Sequence, residues 1–303
     1  MVGLPSPEQL DYFASQLECC RLCPRQCGVN RVAGQLGYCR AGATLKVASY
    51  CLHRGEEPPI SGRNGSGTIF FAHCSMRCVY CQNYPISQLY HGNEIWTEDL
   101  TAMMLDLERR GAHNINLVTP THFLPMIVPA IAGARRRGLK LPIVYNTSGY
   151  EHPDTITHLT GIVQIYLFDM RYWTEAKAAR YSDAPEYPSF NLQALEAVIA
   201  SVGSGLKIKH GIGEEGLIIR HLVLPSLLDE TEAILTYIAR ELPQEVHLSL
   251  MSQYFPANRA HQFPEINRKL SASERSEAIA LLHRLDITRG WIQDDTSLST
   301  RIA

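Results

Sequence analysis

The 303-residue sequence predicts an α/β fold: a partial (βα)6 barrel of parallel strands behind an N-terminal cysteine-rich metal-binding segment. Three observations carry this. Between residues 67 and 250, six apolar, β-rich runs alternate with helical patterns, as parallel βα units do. Polar residues gather at the ends of five of those runs, where barrels keep their chemistry. All nine cysteines fall before residue 82, seven of them in two groups with metal-ligand spacing. Six units are too few for an eight-stranded closure, so an open mouth is expected on the C-terminal face.

The elements follow in order. Ser6 or Pro7 starts a short helix over residues 6–18, with Leu10, Phe13, Ala14 and Leu17 on one face. Residues 53–67, dense in Gly, Pro and charge, read as a loop leading to the first strand, Thr68–Ala72. Within that loop Glu56 and Glu57 form a carboxylate pair, read either as an acid/base device or, more plainly, as a solvated loop or an arginine partner. A helix over Trp96–Arg110 is capped by Thr97 and ended by Gly111. Strand Asn114–Val118, helix His122–Arg137, strand Leu141–Tyr145, short helix Asp154–Leu159 and strand Ile162–Phe168 come next. Helix Phe190–Val202, strand Gly216–Leu224, helix Asp229–Glu241 and strand Val246–Leu250 complete the barrel. Beyond it, Arg259–Arg268 reads as extended, Ser273–Arg284 as a helix with a Ser-x-x-Glu start at Ser271, and Trp291–Ala303 as a loose polar tail. The chain divides into a cysteine segment (1–66), a barrel (67–255) and a C-terminal extension with one helix (256–303).

Composition is that of an ordinary globular chain, 45% hydrophobic and 19% charged, with a net charge of −2. Nothing indicates a nucleic-acid surface. The best apolar run, Phe123–Ala134, is short and carries Pro125 and Pro129, so no membrane span is expected. The first residues lack a basic stretch followed by an apolar one, so the expectation is a cytoplasmic protein whose cysteines are ligands rather than disulfides.

The stretch His73-Cys74-Ser75-Met76-Arg77-Cys78-Val79-Tyr80-Cys81 sets three cysteines at C-x3-C-x2-C, directly after a strand. Soft thiolates favour iron–sulfur or zinc over hard cations. Three of them can hold three irons of a 4Fe–4S cube and leave the fourth iron open. The structural alternatives are a zinc knuckle short of one ligand, or three packed core cysteines. Upstream, Cys20, Cys23, Cys27 and Cys39 follow C-x2-C-x3-C-x11-C, enough for a closed zinc site or a second 4Fe–4S cluster. Spacing alone leaves both metals open. Cys19 and Cys51 are left over and read as small hydrophobes.

The strand-end motifs are Val118-Thr119-Pro120-Thr121-His122, Tyr145-Asn146-Thr147-Ser148-Gly149, Phe168-Asp169-Met170-Arg171, Arg220-His221-Leu222-Val223-Leu224-Pro225 and Ser252-Gln253-Tyr254. Together they favour a ligand-lined cavity, although His221 alone would more often be a satisfied core histidine. With the cysteine loop, Cys23-Pro24-Arg25, Glu56-Glu57-Pro58, the Gly65-Ser66-Gly67-Thr68 run, Ala184-Pro185 and Pro264-Glu265-Ile266-Asn267-Arg268, they resemble the pyruvate formate-lyase activating enzyme-like subfamily of radical S-adenosylmethionine (SAM) proteins over nearly the whole chain.

The resemblance implies a 4Fe–4S cluster on Cys74, Cys78 and Cys81, with SAM chelated to its open iron. It implies a SAM pocket that includes Tyr80, Asn146, Asp169 and His221. The Gly-Gly-Glu motif of many relatives is missing after the second strand, so Thr119, Thr121 or His122 would have to hold the methionine amino group. Gln164 and Met170-Arg171 stand where relatives carry an acidic residue and Phe-Lys. The implied activity is hydrogen abstraction from a substrate, a glycine of a glycyl-radical enzyme or another peptide or small molecule. A non-catalytic iron–sulfur carrier or metal scaffold is the rival. A one-electron donor such as flavodoxin or ferredoxin, and a protein substrate, are the implied partners.

Overall fold

The computed structural model describes residues 3–294 and 299–302. Helix α1 (Pro7–Ser15) opens the chain under a reciprocal cap, the Ser6 hydroxyl accepting from the Gln9 amide while the Gln9 side chain accepts from Ser6 N–H. Phe13 is its buried anchor, and Gln9 Nε2 ties it to the carbonyls of His158 and Thr160 at 2.9 Å each. No helix or strand follows until β1 (Leu45–His53), which lies inside the cysteine segment as read from sequence and yet joins the main sheet. After the one-turn helix α2 (Pro58–Ser61) come β2 (Ser66–Phe71), the one-turn helix α3 (Tyr84–Ser87), the short β3 (Asn93–Ile95) and α4 (Thr97–Arg109). Trp96, not Thr97, is the residue that caps α4: the Asp99 carboxylate accepts the Trp96 N–H at 2.9 Å.

The remaining units are β4 (Ile115–Val118), α5 (Leu124–Arg136), β5 (Ile143–Thr147), α6 (Pro153–Thr157) and β6 (Ile165–Asp169). Then come α7 (Glu175–Ser182), α8 (Tyr187–Val202), β7 (Lys207–Lys209), β8 (Ile212–Leu222), α9 (Leu228–Glu241) and β9 (His247–Met251). The chain ends with α10 (Ala272–Arg284), β10 (Gly290–Gln293) and β11 (Ser299–Arg301). Among the described residues, eleven strands form one open sheet in the order β11-β10-β9-β8-β6-β5-β4-β2-β1-β3, with β7 paired to β8. The run from β2 to β10 is parallel throughout, and β1, β3, β7 and β11 are antiparallel additions.

The six expected parallel strands are present, and β10 is a seventh. The segment read as a loose tail therefore contains two strands, while residues 295–298 and 303 lie outside the described residues. β10 escapes pattern reading because it is four residues long and begins with glycine. Gly290 is required there: its φ is +132°, and a Cβ would meet the Leu248 carbonyl oxygen at 1.8 Å. Arg259–Arg268, read as extended, instead makes two 3-10 turns, Ala260–Gln262 and Pro264–Ile266. Ile69, Leu117, Tyr145, Tyr166 and Ile219 from the strands pack with Leu100, Ile127, Leu195 and Ile234 from the helices as one core. A second, tyrosine-rich core of Tyr80, Tyr150, Tyr172, Tyr181, Tyr187 and Tyr254 underlies the cysteine loop. Among the described residues, no helix is long and apolar enough to cross a membrane.

Candidate metal and cofactor site at the barrel mouth

The loop after β2 turns sharply at His73, whose φ of +70° lies in the left-handed region that a residue with a Cβ seldom adopts. The turn aims Cys74, Cys78 and Cys81 into a cavity of about 410 Å3, shared with Thr119, Asn146, Thr147, Ser148, Asp169, Arg171, Arg220 and Glu56. This is the end of the sheet where the parallel strands finish. The loop is pinned by backbone bonds: His73 N–H to Ile86, Arg77 N–H to Ser182, Val79 N–H to Tyr181, and Arg259 N–H to Val79, all at 2.8–2.9 Å.

Each of the three sulfurs has a polar neighbour. Met76 N–H donates to Cys74 Sγ at 3.4 Å, and Ser182 Oγ donates to Cys78 Sγ at 3.0 Å. Arg171 Nη1 stands 3.6 Å from Cys78 Sγ, and Ser87 Oγ is 3.3 Å from Cys81 Sγ. Burial pushes the Cys74 thiol up to about 12 and raises that of Cys81 too, with Cys78 adding to both. As bare thiols, Cys74 and Cys81 therefore hold their protons. A metal cation would displace those protons, and the donors already facing the sulfurs suit the thiolates that result. The residues fit a thiolate-bound cluster.

Behind the cysteines runs a buried charge network. The Asp169 carboxylate takes Arg171 Nη2 at 2.6 Å on one oxygen and Arg220 Nε at 2.8 Å on the other. Arg220 continues to Asn146 Oδ1 at 2.7 Å and to Glu56 Oε2 at 3.4 Å, while Asn116 Nδ2 donates to Glu56 Oε1 at 3.0 Å. Burial drives Glu56 up to about 7 against the pull of Arg220. Of the two readings of Glu56-Glu57, the arginine partner describes Glu56, although it is buried rather than solvated. Glu57 is fully buried, with Oε1 taking Gln293 Nε2 at 3.3 Å.

The residues expected around SAM divide into three groups. Thr119, Asn146 and Asp169 line the cavity, Thr119 with a left-handed φ of +54°. Thr121 and His122 face the other way, into the wall of the N-terminal cysteine cavity. His122 Nε2 is 2.7 Å from the Ala72 carbonyl, and burial lowers its pKa to about 3. Tyr80 and His221 are core residues outside the cavity wall. Tyr80 bonds Tyr172 through its hydroxyl at 2.6 Å. His221 is 1% exposed, with Met170 O and Thr231 Oγ1 on its two nitrogens at 2.7 and 2.9 Å, the arrangement of a satisfied core histidine.

Sequence reasoning did not select Arg171, Arg220, Ser182 or Ser87. A signal existed for Arg171, which was noted as a departure at the end of its strand, and for Arg220, which opens the motif that holds His221. Ser182 stands in the stretch around Ala184-Pro185 that carries the family resemblance, whereas Ser87 carries no such signal, because an ordinary serine becomes a sulfur neighbour only through α3. Upstream, Cys20, Cys23, Cys27 and Cys39 line one cavity with Arg31. Cys19 is exposed and Cys51 half-buried on β1, so neither is the fully buried small hydrophobe expected.

A cysteine loop at the C-terminal end of an open parallel α/β sheet, facing a cavity walled by the neighbouring strand ends, is the partial-barrel arrangement that the sequence predicts. Two structures of the [FeFe]-hydrogenase maturase HydG share the fold. One, at 15% identity and a TM-score of 0.51, covers 72% of this chain and 49% of that one. The other, from Carboxydothermus hydrogenoformans, at 16% identity and a TM-score of 0.51, covers 72% of this chain and 50% of that one. The chain thus spans about half the length of each HydG chain. No protein-family profile matches the chain. The uncharacterized protein MJ0674 of Methanocaldococcus jannaschii is 30% identical over 277 residues, which is 88% of this chain and 75% of that protein. The chain belongs to the same family as MJ0674, and it has the fold of the HydG structures.

Proposed function

We propose that this chain is a radical SAM enzyme: Cys74, Cys78 and Cys81 hold a 4Fe–4S cluster, and the cavity they share with the strand ends receives SAM. The observation that carries the reading is that convergence, three sulfurs with polar neighbours on one wall of a 410 Å3 space and Thr119, Asn146 and Asp169 on another. The cluster, when bound and reduced, would supply one electron to the SAM sulfonium, releasing methionine and a 5′-deoxyadenosyl radical that takes a hydrogen atom from the substrate.

The protein's own part is binding, orientation and exclusion of water. The N–H of Met76 and the hydroxyls of Ser182 and Ser87 steady the three sulfurs. Arg171 brings a fixed positive charge to Cys78, and Asp169 holds that guanidinium in place. The Asn146 carboxamide is fixed by Arg220. On this reading a glycine of a glycyl-radical protein is the first substrate class to test, with other peptides or small molecules next. A one-electron donor such as flavodoxin or ferredoxin is the partner the chemistry requires. A non-catalytic carrier would have no use for a cavity of this size.

The test is anaerobic reconstitution, reduction and addition of SAM, with 5′-deoxyadenosine read by mass spectrometry. Formation is expected, falling to background in Cys78→Ala. Iron bound with a SAM-induced spectral change, and cleavage only once a candidate substrate is added, would still support the reading. A protein that binds only zinc and ignores SAM would sink it.

A further inference from the structure

The cysteine segment ahead of the barrel is not explained by the chemistry at the mouth. Its fold is irregular, with no helix or strand between Ser15 and Leu45. Cys20, Cys23, Cys27 and Cys39 ring a small enclosed cavity of about 10 Å3, room for one water-sized sphere. Among the described residues, no three such side chains converge as closely as one ion demands. The loop would therefore draw in on, or open around, whatever it binds.

Two observations point to a metal. The first is Arg31, 4% exposed, whose Nη2 donates to Cys20 Sγ at 3.0 Å and approaches Cys39 Sγ at 3.9 Å. Its Nη1 takes the His122 carbonyl and its Nε has no partner; among the described residues it forms no ion pair with a carboxylate. A buried guanidinium with no carboxylate beside it is uncompensated. Thiolates on a metal carry the net negative charge that would balance it. The neighbouring sequence offers no substitute, because residues 19–55 hold Arg21, Arg25, Arg31, Arg40, Lys46 and Arg54 and no Asp or Glu. The acid in the cavity wall, Glu151, bonds Thr121, Thr147 and Tyr145 rather than Arg31.

The second observation is the contact with the mouth loop. The Cys39 carbonyl is 3.0 Å from Nδ1 of His73, the residue immediately before Cys74. Arg25 Nε donates to the Ser75 carbonyl at 3.2 Å, and Arg77 Nη2 to the Tyr38 carbonyl at 2.8 Å. Ser75 itself lines the N-terminal cavity. One hydrogen bond separates a residue of the quartet from the neighbour of a mouth cysteine.

We infer that Cys20, Cys23, Cys27 and Cys39 hold a thiophilic metal centre, charge-balanced by Arg31, that clamps the Cys74–Cys81 loop from behind through His73 and Ser75. Zinc and an iron–sulfur cluster share the required chemistry.

The test uses the full chain carrying Cys74→Ala, Cys78→Ala and Cys81→Ala, so that its outcome is independent of the radical reading. Circular dichroism and melting establish that this chain is folded. Zinc, or iron with an equal count of sulfide, is expected to stay bound and to be lost on adding Cys23→Ser; the metal analysis separates the two sources. A folded triple variant that binds neither overturns the centre. Arg31→Gln, which keeps all four ligands, is expected to weaken retention against a chelator about tenfold. Unchanged retention overturns the charge balance, and this variant serves if Cys23→Ser fails to fold. For the clamp, amide exchange over residues 73–81 is expected to quicken about tenfold when the metal is stripped from the triple variant. Unchanged exchange overturns it.

Discussion

Cys74, Cys78 and Cys81 leave the end of β2 in a loop pinned by backbone bonds to Ile86, Ser182 and Tyr181, above a core of tyrosines. Cys20, Cys23, Cys27 and Cys39 lie in a stretch without regular structure, held mainly by local turns and by the face of the loop they press against. The first group opens on a cavity large enough for a cofactor, the second on a space about one sphere wide. A site that must exchange ligands is built on the rigid scaffold. A site that is itself a cross-link can be built on chain that has no other means of ordering.

The largest expected effect tests the rigid side. Asp169 is 4% exposed and stands between two guanidiniums, so Asp169→Asn leaves the partly buried Arg171 and Arg220 with their shared charge gone. Breaking such a network costs about 3–5 kcal/mol. Urea unfolding of the metal-free protein should show a loss of that order. A loss under about 1 kcal/mol would mean that the mouth is not held by its charges.

Much of this organisation was legible in the sequence. Six parallel strands and the capped helices at Ser6 and Ser271 follow from periodicity and cap spacing. The gathering of polar strand ends beside the cysteine loop follows from their place in the pattern, while the choice of Thr119, Asn146 and Asp169 among them came from the family resemblance. What was hidden has physical causes. β3, β7 and β10 are three or four residues long, too short for a period to register, and take their conformation from the strand beside them. His221 and Tyr80 carry motif signals, yet their polar atoms are consumed inside the core. Thr121 and His122 follow Thr119 so closely that sequence assigns them one destination. The left-handed turn at Thr119 sends them to the opposite side of the wall. The partnership of Glu56 with Arg220 joins residues 164 positions apart.

The next effect lies in the wall between the two cavities. Glu151 is 1% exposed and accepts hydroxyls from Thr121, on the N-terminal side, and from Thr147, on the mouth side, with Tyr145 as a third donor. Burial raises its carboxyl from 4.5 to about 7, and the three hydroxyls offset this only in part. Between those values the unfolded chain has released the proton and the folded chain retains it. Stability therefore falls as pH rises through the window, by roughly 3 kcal/mol for this group. Glu56, also raised to about 7, adds to the same slope, so the informative quantity is the difference from Glu151→Gln. The wild type should lose more stability than the variant between pH 5 and pH 8. Parallel curves would show that the wall does not hold a neutral acid.

A smaller effect sharpens the contrast between the two cysteine groups. Arg21, Arg25, Arg31 and Arg40 offer trypsin four sites within the irregular segment. Removing one ligand there with Cys23→Ser should speed cleavage between residues 16 and 44 by about tenfold, since local opening sets the rate. Cys78→Ser should leave cleavage within the mouth loop slow, because its backbone bonds do not need the metal. Equal acceleration in both loops would erase the distinction between a scaffolded site and a cross-linking one.

The smallest effect separates the anchoring of the N-terminal segment from the metal proposed for it. Helix α1 docks through Phe13 and through Gln9, and its first turn depends on the reciprocal Ser6–Gln9 cap. Ser6→Ala removes the acceptor for the Gln9 amide and should cost about 1 kcal/mol in thermal or urea unfolding. Metal content should be unchanged, because no ligand and no contact of Arg31 passes through Ser6. If the metal were lost along with that single cap, α1 rather than the cysteines would be what orders the segment. The two regions would then differ only in their distance from a helix, not in what holds them together.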